Sequence, residues 1–384
     1  MAQLKLFRVA LLLVLVIWGP AIIAQVPNAE RASWVTDLRT MGYPTRPSEK
    51  FSKTFGVPPT KLAFADPEHL VVTFISSDPG TPPGPKDSPN SLRLRLHIAV
   101  FESRTGEVDM KGDWPTPNPN DGVVGGHNGK VVVRAGNELT LYDTTLRALK
   151  RMDRRPEHIP NGVLFAVFTS PTGRFLLLEF SPGIQTEYSW INVDNLETAH
   201  SFSDNLFPLS ISDKEIGGWR RVTPREVEFV VRKPDEPGRV ITLPGGRSTE
   251  VAFVNEDTIA IESGYSPMPL IRTDGTLVES ITPPSHDFLS RVTPSAEGRR
   301  LAFTGSRIRN ASEMLSPHQT WEYVQRVYIY DIPTYTFVCG VKVNHSVRNE
   351  DFRLALSPNG SILAFVDGES LKAYRLPLAA EDHK

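Results

Sequence analysis

The chain has 384 residues, of which 40% are hydrophobic and 22% charged, with a formal net charge of −2 and one cysteine. That composition sustains a large folded core and excludes an intramolecular disulfide. A near-neutral chain lacks the dense basic surface that a phosphate-backbone binder needs, so nucleic acid is not an expected partner.

Residues 1–24 have the pattern of a secretory leader. Lys5 and Arg8 precede an apolar run, Gly19-Pro20 breaks it, and Ala24 with Ile22 marks a cleavage site before Gln25. The expected location is therefore secreted or periplasmic. The run from 9 to 24 is interrupted and short of the ~20 residues that a spanning helix needs, so no stable membrane insertion is expected after cleavage. Residues 25–50 form a polar lead-in, with a short helix expected over 32–41. The segment 51–378 carries a repeated unit, and 379–384 is a polar tail.

The first copy of the unit is Asp66-Pro67-Glu68-His69, a turn, followed by the apolar run 70–74. His127-Asn128-Gly129 then leads to 131–133, and Ser170-Pro171-Thr172-Gly173 to 175–178. Thr223-Pro224-Arg225-Glu226 leads to 227–231, and Asn255-Glu256-Asp257 to 258–261. Thr293-Pro294-Ser295-Ala296-Glu297-Gly298 leads to 301–303. The last copy is the most regular: Ser357-Pro358-Asn359-Gly360 leads to Ile362-Leu363-Ala364-Phe365-Val366. Pro fixes φ for the turn and Asn-Gly accepts positive φ. The runs are too short for helices and have strand composition. A second column of strand-like runs follows at 97–101, 139–143, 188–192, 239–243, 270–273, 327–331 and 371–375, and further pieces bring each unit to about four strands.

The turns at residues 67 and 359 lie six steps apart, a mean period of about 49 residues, as in propeller blades. Blades stack face to face, which explains runs that are apolar on both faces. The expected fold is all-β: a β-propeller of seven four-stranded blades. Six or eight blades are the alternatives, because the step from 225 to 256 is short, and an unrepeated β-sandwich is the alternative architecture. The last unit has only three strands after the count. The N-terminal segment is therefore expected to close the ring, with 51–57 pairing beside 371–375.

Three insertions interrupt the pattern. Residues 77–91 hold five prolines, 113–122 carry Trp114 at their base, and 304–322 form the third. All three are expected as solvent loops. Five basic residues between Arg147 and Arg155 read as a solvated face.

The turn and strand Ser357-Pro358-Asn359-Gly360 through Phe365 resemble the repeats of bacterial WD-like β-propeller proteins, such as the Tol-associated periplasmic propeller. The resemblance spans roughly 51–378 and implies the propeller fold, with little said of function. Asn359 and Thr172 stand where that family usually has Asp. Gly126-His127 and Tyr142-Asp143 lie too close together for the strict WD signature, so its hydrogen-bond tetrad is not expected.

Motifs that carry chemistry are missing. There is no G-x-S-x-G, H-E-x-x-H, Walker loop or G-x-G-x-x-G, and the nine histidines are scattered singly. No cofactor and no metal are expected from local spacing. Residues 118–122 carry one carboxylate, too few for a calcium loop. His286-Asp287 reads as an exposed turn, and Cys339, within a strand-like run, as a buried small hydrophobe. The candidate interaction residues are Trp114, Trp219, Trp321 and Tyr323, since Trp and Tyr anchor binding surfaces. The leading functional reading is an exported, non-catalytic propeller that binds a protein or other extracellular ligand. The alternative is a propeller hydrolase, lactonase-like or polysaccharide-degrading, with a site at one mouth of the central channel.

Overall fold

The computed structural model describes residues 31–44, 60–77, 94–116, 118–153, 163–181, 186–223, 226–243, 250–262, 267–285, 287–308, 322–348 and 352–377. Seven antiparallel four-stranded sheets follow one another along the chain as the blades of a propeller. Blade 1 holds β2 (Lys61–Phe64), β3 (His69–Ser77), β4 (Leu94–Glu102) and β5 (Val108–Thr116). Blade 2 holds β6 (Gly122–His127), β7 (Lys130–Ala135), β8 (Glu138–Asp143) and β9 (Ala148–Asp153). Blade 3 holds β10 (Val163–Thr169), β11 (Phe175–Ser181), β12 (Thr186–Asn192) and β13 (Glu197–Asp204). Blade 4 holds β14 (Leu206–Ile211), β15 (Ile216–Thr223), β16 (Glu226–Arg232) and β17 (Arg239–Ile241). Blade 5 holds β18 (Glu250–Phe253), β19 (Thr258–Glu262), β20 (Met268–Arg272) and β21 (Leu277–Ile281). Blade 6 holds β22 (Phe288–Pro294), β23 (Arg300–Ile308), β24 (Glu322–Asp331) and β25 (Thr336–Arg348). Blade 7 holds β26 (Leu354–Leu356), β27 (Ile362–Asp367), β28 (Ser370–Arg375) and, as its outer strand, β1 (Trp34–Asp37). The first strands of the blades touch one another in sequence around the axis, and β26 returns to β2.

Between the blades lie seven hydrophobic clusters, one for each interface of the ring. Strand β27 shows how one apolar run serves two of them. Ile362, Ala364 and Val366 pack toward blade 1, whereas Leu363 and Phe365 pack toward blade 6. Side chains on a strand alternate faces, so both parities must be apolar. Each large side chain fully buried in this way contributes roughly 1.5–3 kcal/mol.

The inner turns share one device. The Ser357 hydroxyl accepts the Ile362 N–H at 2.9 Å, Ser170 does the same for Phe175 at 3.1 Å, and Ser295 for Arg300 at 2.9 Å. A side-chain oxygen at the start of the turn thus satisfies the first donor of the next strand. Asp66 and Asn255 fill this role in blades 1 and 5, accepting from His69 and Thr258.

Several expectations are corrected. The ring is closed by the N-terminal segment, but through Trp34–Asp37, which pairs with β28 from Ala373 to Ser370. Residues 51–57 lie outside the described residues. The helix expected over 32–41 is instead that strand followed by a short 3-10 helix, Leu38–Met41. The blade 4 turn is Ser212-Asp213-Lys214, where the Ser212 hydroxyl accepts the N–H groups of Lys214 and Glu215. Thr223-Pro224 falls one hairpin later, between β15 and β16, so 227–231 is the third strand and 239–241 the fourth. This slip produced the short step in the repeat. Residues 113–116 continue β5 and 304–308 continue β23, so neither stretch is loop. Of the insertions, 78–93 and 309–321 lie outside the described residues. Arg147, Lys150 and Arg151 are exposed at the outer strand of blade 2, as expected of a solvated basic face, and Arg154 and Arg155 lie outside the described residues.

Candidate functional site

The connectivity makes the two ends of the ring unlike. Every first-to-second and third-to-fourth strand connection is a short turn, and these gather on one end, the turn face. The connections spanning 78–93, 154–162, 244–249 and 309–321 all leave from the other end, the loop face.

A channel cavity of about 870 Å³ opens toward the turn face and is lined by all seven blades. Its walls hold together through close backbone approach. A Cβ on Gly126 would collide with the Phe64 carbonyl, and one on Gly173 with the Gly126 carbonyl, so blades 1, 2 and 3 meet through glycine. A relay of polar contacts runs along the same rim. His127 Nδ1 donates to the Thr172 carbonyl at 3.1 Å, and the Thr172 hydroxyl donates to Asp213 at 2.6 Å. Asp66, Asp194, Asp213 and Glu297 line the cavity against the single cation Arg174. Two of these carboxylates have a cation just outside the lining: Lys130 stands 3.9 Å from Asp194 and Arg299 3.4 Å from Glu297. No group of three or more His, Cys, Asp or Glu in a metal-holding arrangement occurs among the described residues.

The loop-face rim has opposite character. β10 is bulged between Leu164 and Ala166, which pushes the intervening Phe165 outward. Its side chain is 64% exposed, and on the neighbouring inner strand Phe207 is 61% exposed. Trp219 lies directly across from Phe207 in the sheet, and Val222, further along the same strand, is also exposed. Arg134 of blade 2 fixes the bulge from behind. Its guanidinium donates to the carbonyls of Leu164 and, at 3.5 Å, Phe165. Behind Arg134 sits Asp121, buried at 1% exposure and 3.8 Å from its Nε. The Asp121 carboxylate also accepts from the Thr116 hydroxyl and, at 2.8 Å, from the Gly136 N–H. Burial raises the Asp121 pKa, and these donors and Arg134 oppose that rise. On the other side of Asp121 stands Lys61, at the start of the innermost strand of blade 1. Its Nζ donates to the Asn120 carbonyl at 2.5 Å. Burial, then the nearby Arg134, pulls its pKa down to about 8, with Arg353 of blade 7 adding a smaller push.

Of the sequence candidates, Trp114 and Trp219 are described with their side chains, in blades 1 and 4. Trp114 is half-buried, its ring 5.9 Å from Tyr142. Trp219 is half-buried edge-on to Phe229, 5.5 Å between centroids, beside the exposed rim. Tyr323 belongs to β24, and Trp321 lies outside the described residues. His286 does too, but Asp287 is no exposed turn: it is 1% exposed and accepts the Tyr328 hydroxyl at 2.5 Å. Cys339 is buried as expected. The sequence reading missed Phe165, Phe207 and Lys61. Phe165 and Phe207 sit within apolar runs like any core residue, and only the bulge and the strand position expose them.

No protein-family model matches the chain, and no curated protein matches it. Among solved structures it is similar to a chain in the crystal structure of a mitotic checkpoint complex, with a TM-score of 0.52 at 12% identity. That match covers 91% of this chain and 96% of the other. It is also similar to Hsv2 of Kluyveromyces lactis, with a TM-score of 0.49 at 12% identity over 85% of this chain and 96% of that one. At such identity the likeness is one of fold, the seven-bladed propeller. The bacterial Tol-associated family is not supported by these comparisons. The expected secreted or periplasmic location is corrected: the propeller matched over 91% of this chain comes from a mitotic checkpoint complex, not from an exported bacterial protein. The leader pattern itself lies outside the described residues, and among those described no helix is long and apolar enough to cross a membrane.

Proposed function

We propose that the chain is a non-catalytic scaffold that holds a partner polypeptide on its loop face, against the rim of the channel. The observation that carries this reading is the pair Phe165 and Phe207. Both lie on innermost strands of adjacent blades, and both leave most of a large aromatic side chain in water. Aromatic side chains brought to one rim are the usual anchors of a protein interface. Their exposure has a structural cost that a folded monomer gains nothing from. Arg134 is spent on holding the Phe165 backbone in its bulge. Trp219 supports the same patch from beneath Phe207. The hydrolase alternative has less support, because the His127 ring is tied to a backbone carbonyl and Asp213 to a threonine hydroxyl.

The test is photo-crosslinking in the native host. A benzophenone side chain is placed at residue 165 or 207 and, as a control, at the exposed blade edge residue Met110. Crosslinks to one and the same protein from 165 and 207 but not from 110 are expected. The double variant F165S/F207S should lose that protein on purification while keeping the wild-type melting temperature. Crosslinks that are the same from all three positions would overturn the reading.

A further inference from the structure

We infer that Lys61 receives a carboxylate from the polypeptide that docks on Phe165, so the partner segment pairs an acidic residue with an apolar one. The inference rests on the scaffold reading above and adds the chemistry of what is bound.

Lys61 is a cation whose partners fall short of its capacity. An ammonium carries three donors. One is used, by the Asn120 carbonyl, and no carboxylate lies within ion-pair distance of Nζ among the described residues. Asp121 acts on it electrostatically, but its oxygens already take Thr116, Gly136 and Arg134. The lysine therefore stands beside the Arg134 guanidinium, and the nearby carboxylate, Asp121, is already engaged by Arg134 and two other donors. A positive cluster of this kind, partly removed from water, is most stable with an anion in it.

The location selects the kind of anion. Lys61 and Phe165 flank the same guanidinium: Arg134 interacts with Lys61 on one side and donates to the Phe165 carbonyl on the other. An anion at Lys61 thus lies on the same rim as an exposed aromatic ring. A peptide offers both groups a residue or two apart, a carboxylate for the lysine and an apolar side chain for the ring.

Protonation gives the inference a second handle. The Lys61 ammonium has lost half its protons near pH 8: its charge is opposed by burial and by Arg134, favoured by Asp121, and opposed more weakly by Arg353. A bound carboxylate adds a favourable charge and raises the midpoint. Affinity for an acidic ligand must then fall as pH rises through that midpoint.

The experiment uses the full chain and two synthetic probes, N-acetyl-Glu-Phe-amide and N-acetyl-Gln-Phe-amide, with inorganic phosphate as a third. Lysines are labelled by reductive ¹³C-methylation, and the Lys61 signal is assigned by its absence from K61R. The Glu dipeptide should shift that signal saturably and raise its titration midpoint, and the Gln dipeptide should leave it unmoved. In calorimetry K61Q should bind the Glu dipeptide at least about tenfold more weakly and the Gln dipeptide unchanged, with K61R restoring most of the loss. F165S should weaken both dipeptides alike. A Lys61 signal indifferent to the Glu dipeptide, or equal affinities for the two dipeptides, overturns the inference. If those equal affinities still fall in F165S, the aromatic rim reading survives alone. A phosphate response at lower concentration than the dipeptide response overturns the carboxylate assignment in favour of a phosphorylated ligand. A dipeptide response at Lys61 that F165S leaves untouched supports the anion site and counts against the shared rim.

Discussion

The indole Nε1 of Trp34 donates to the carbonyl of Ser103 at 2.8 Å, joining the outer strand of the last blade to the first blade. The Trp34 ring also stacks on Phe101, with centroids 6.0 Å apart and planes 12° from parallel. Ring closure therefore depends on one short strand. Its ladder to β28 is extended at one end by the Ser33 N–H to the Ala373 carbonyl and, beyond the other end, by the Leu38 N–H to the Glu369 carbonyl.

W34A should lower stability by about 3–5 kcal/mol, the usual cost of truncating a buried tryptophan. V35A on the same strand, where the side chain is 57% exposed, should change it by less than about 0.5 kcal/mol. Urea unfolding of the three proteins measures both. Equal midpoints for W34A and wild type would show that β1 is an appendage rather than a closure.

Gly126→Ala and Gly173→Ala should each destabilise the ring. The added methyl meets a backbone carbonyl of the next blade in both cases, and at Gly173 the backbone φ of +74° adds strain. Main-chain atoms cannot rotate away as a side chain can. A drop of several degrees in melting temperature is expected for each, with the Gly298→Ala control smaller, since nothing lies near its Cβ. A G126A protein that melts with wild type would show that the inner walls are looser than described.

Cys339 is 1% exposed, and burial pushes its thiol pKa up to about 11. The thiolate is the reactive form, so the native protein should resist a water-soluble disulfide reagent at neutral pH. One thiol per chain should react rapidly once denaturant is added. Fast reaction in the native state would contradict this packing.

Glu179 is 5% exposed, faces the blade 3–4 interface beside Tyr188, and has no hydrogen-bond or ion-pair partner among the described residues. Burial raises its pKa in the folded protein. The folded state then holds this proton to higher pH than the unfolded chain does. Stability from this group is complete below the unfolded pKa and is lost as pH rises through the folded value. E179Q should therefore melt above wild type at about pH 8, and the gap should close toward about pH 4. A gap independent of pH would assign the effect to packing instead of charge.

The sequence by itself determined the repeat and six of the seven inner turns, with seven as the leading blade count and six or eight left open. Those features are written in local chemistry: Pro, Asn-Gly and Ser at turns, and runs apolar at both parities because each strand is covered twice. Blade 4 escaped because Thr223-Pro224, one hairpin after its inner turn Ser212-Asp213-Lys214, copies the expected pattern. Only the tertiary structure decided which N-terminal segment closes the ring. A four-residue strand has too little pattern to be seen, and Trp34–Asp37 is a strand because the free edge of β28 requires a partner. The rim cluster was equally invisible. Lys61, Arg134, Phe165, Phe207 and Arg353 come from five blades, and no spacing along the chain records that the ring brings them to one end.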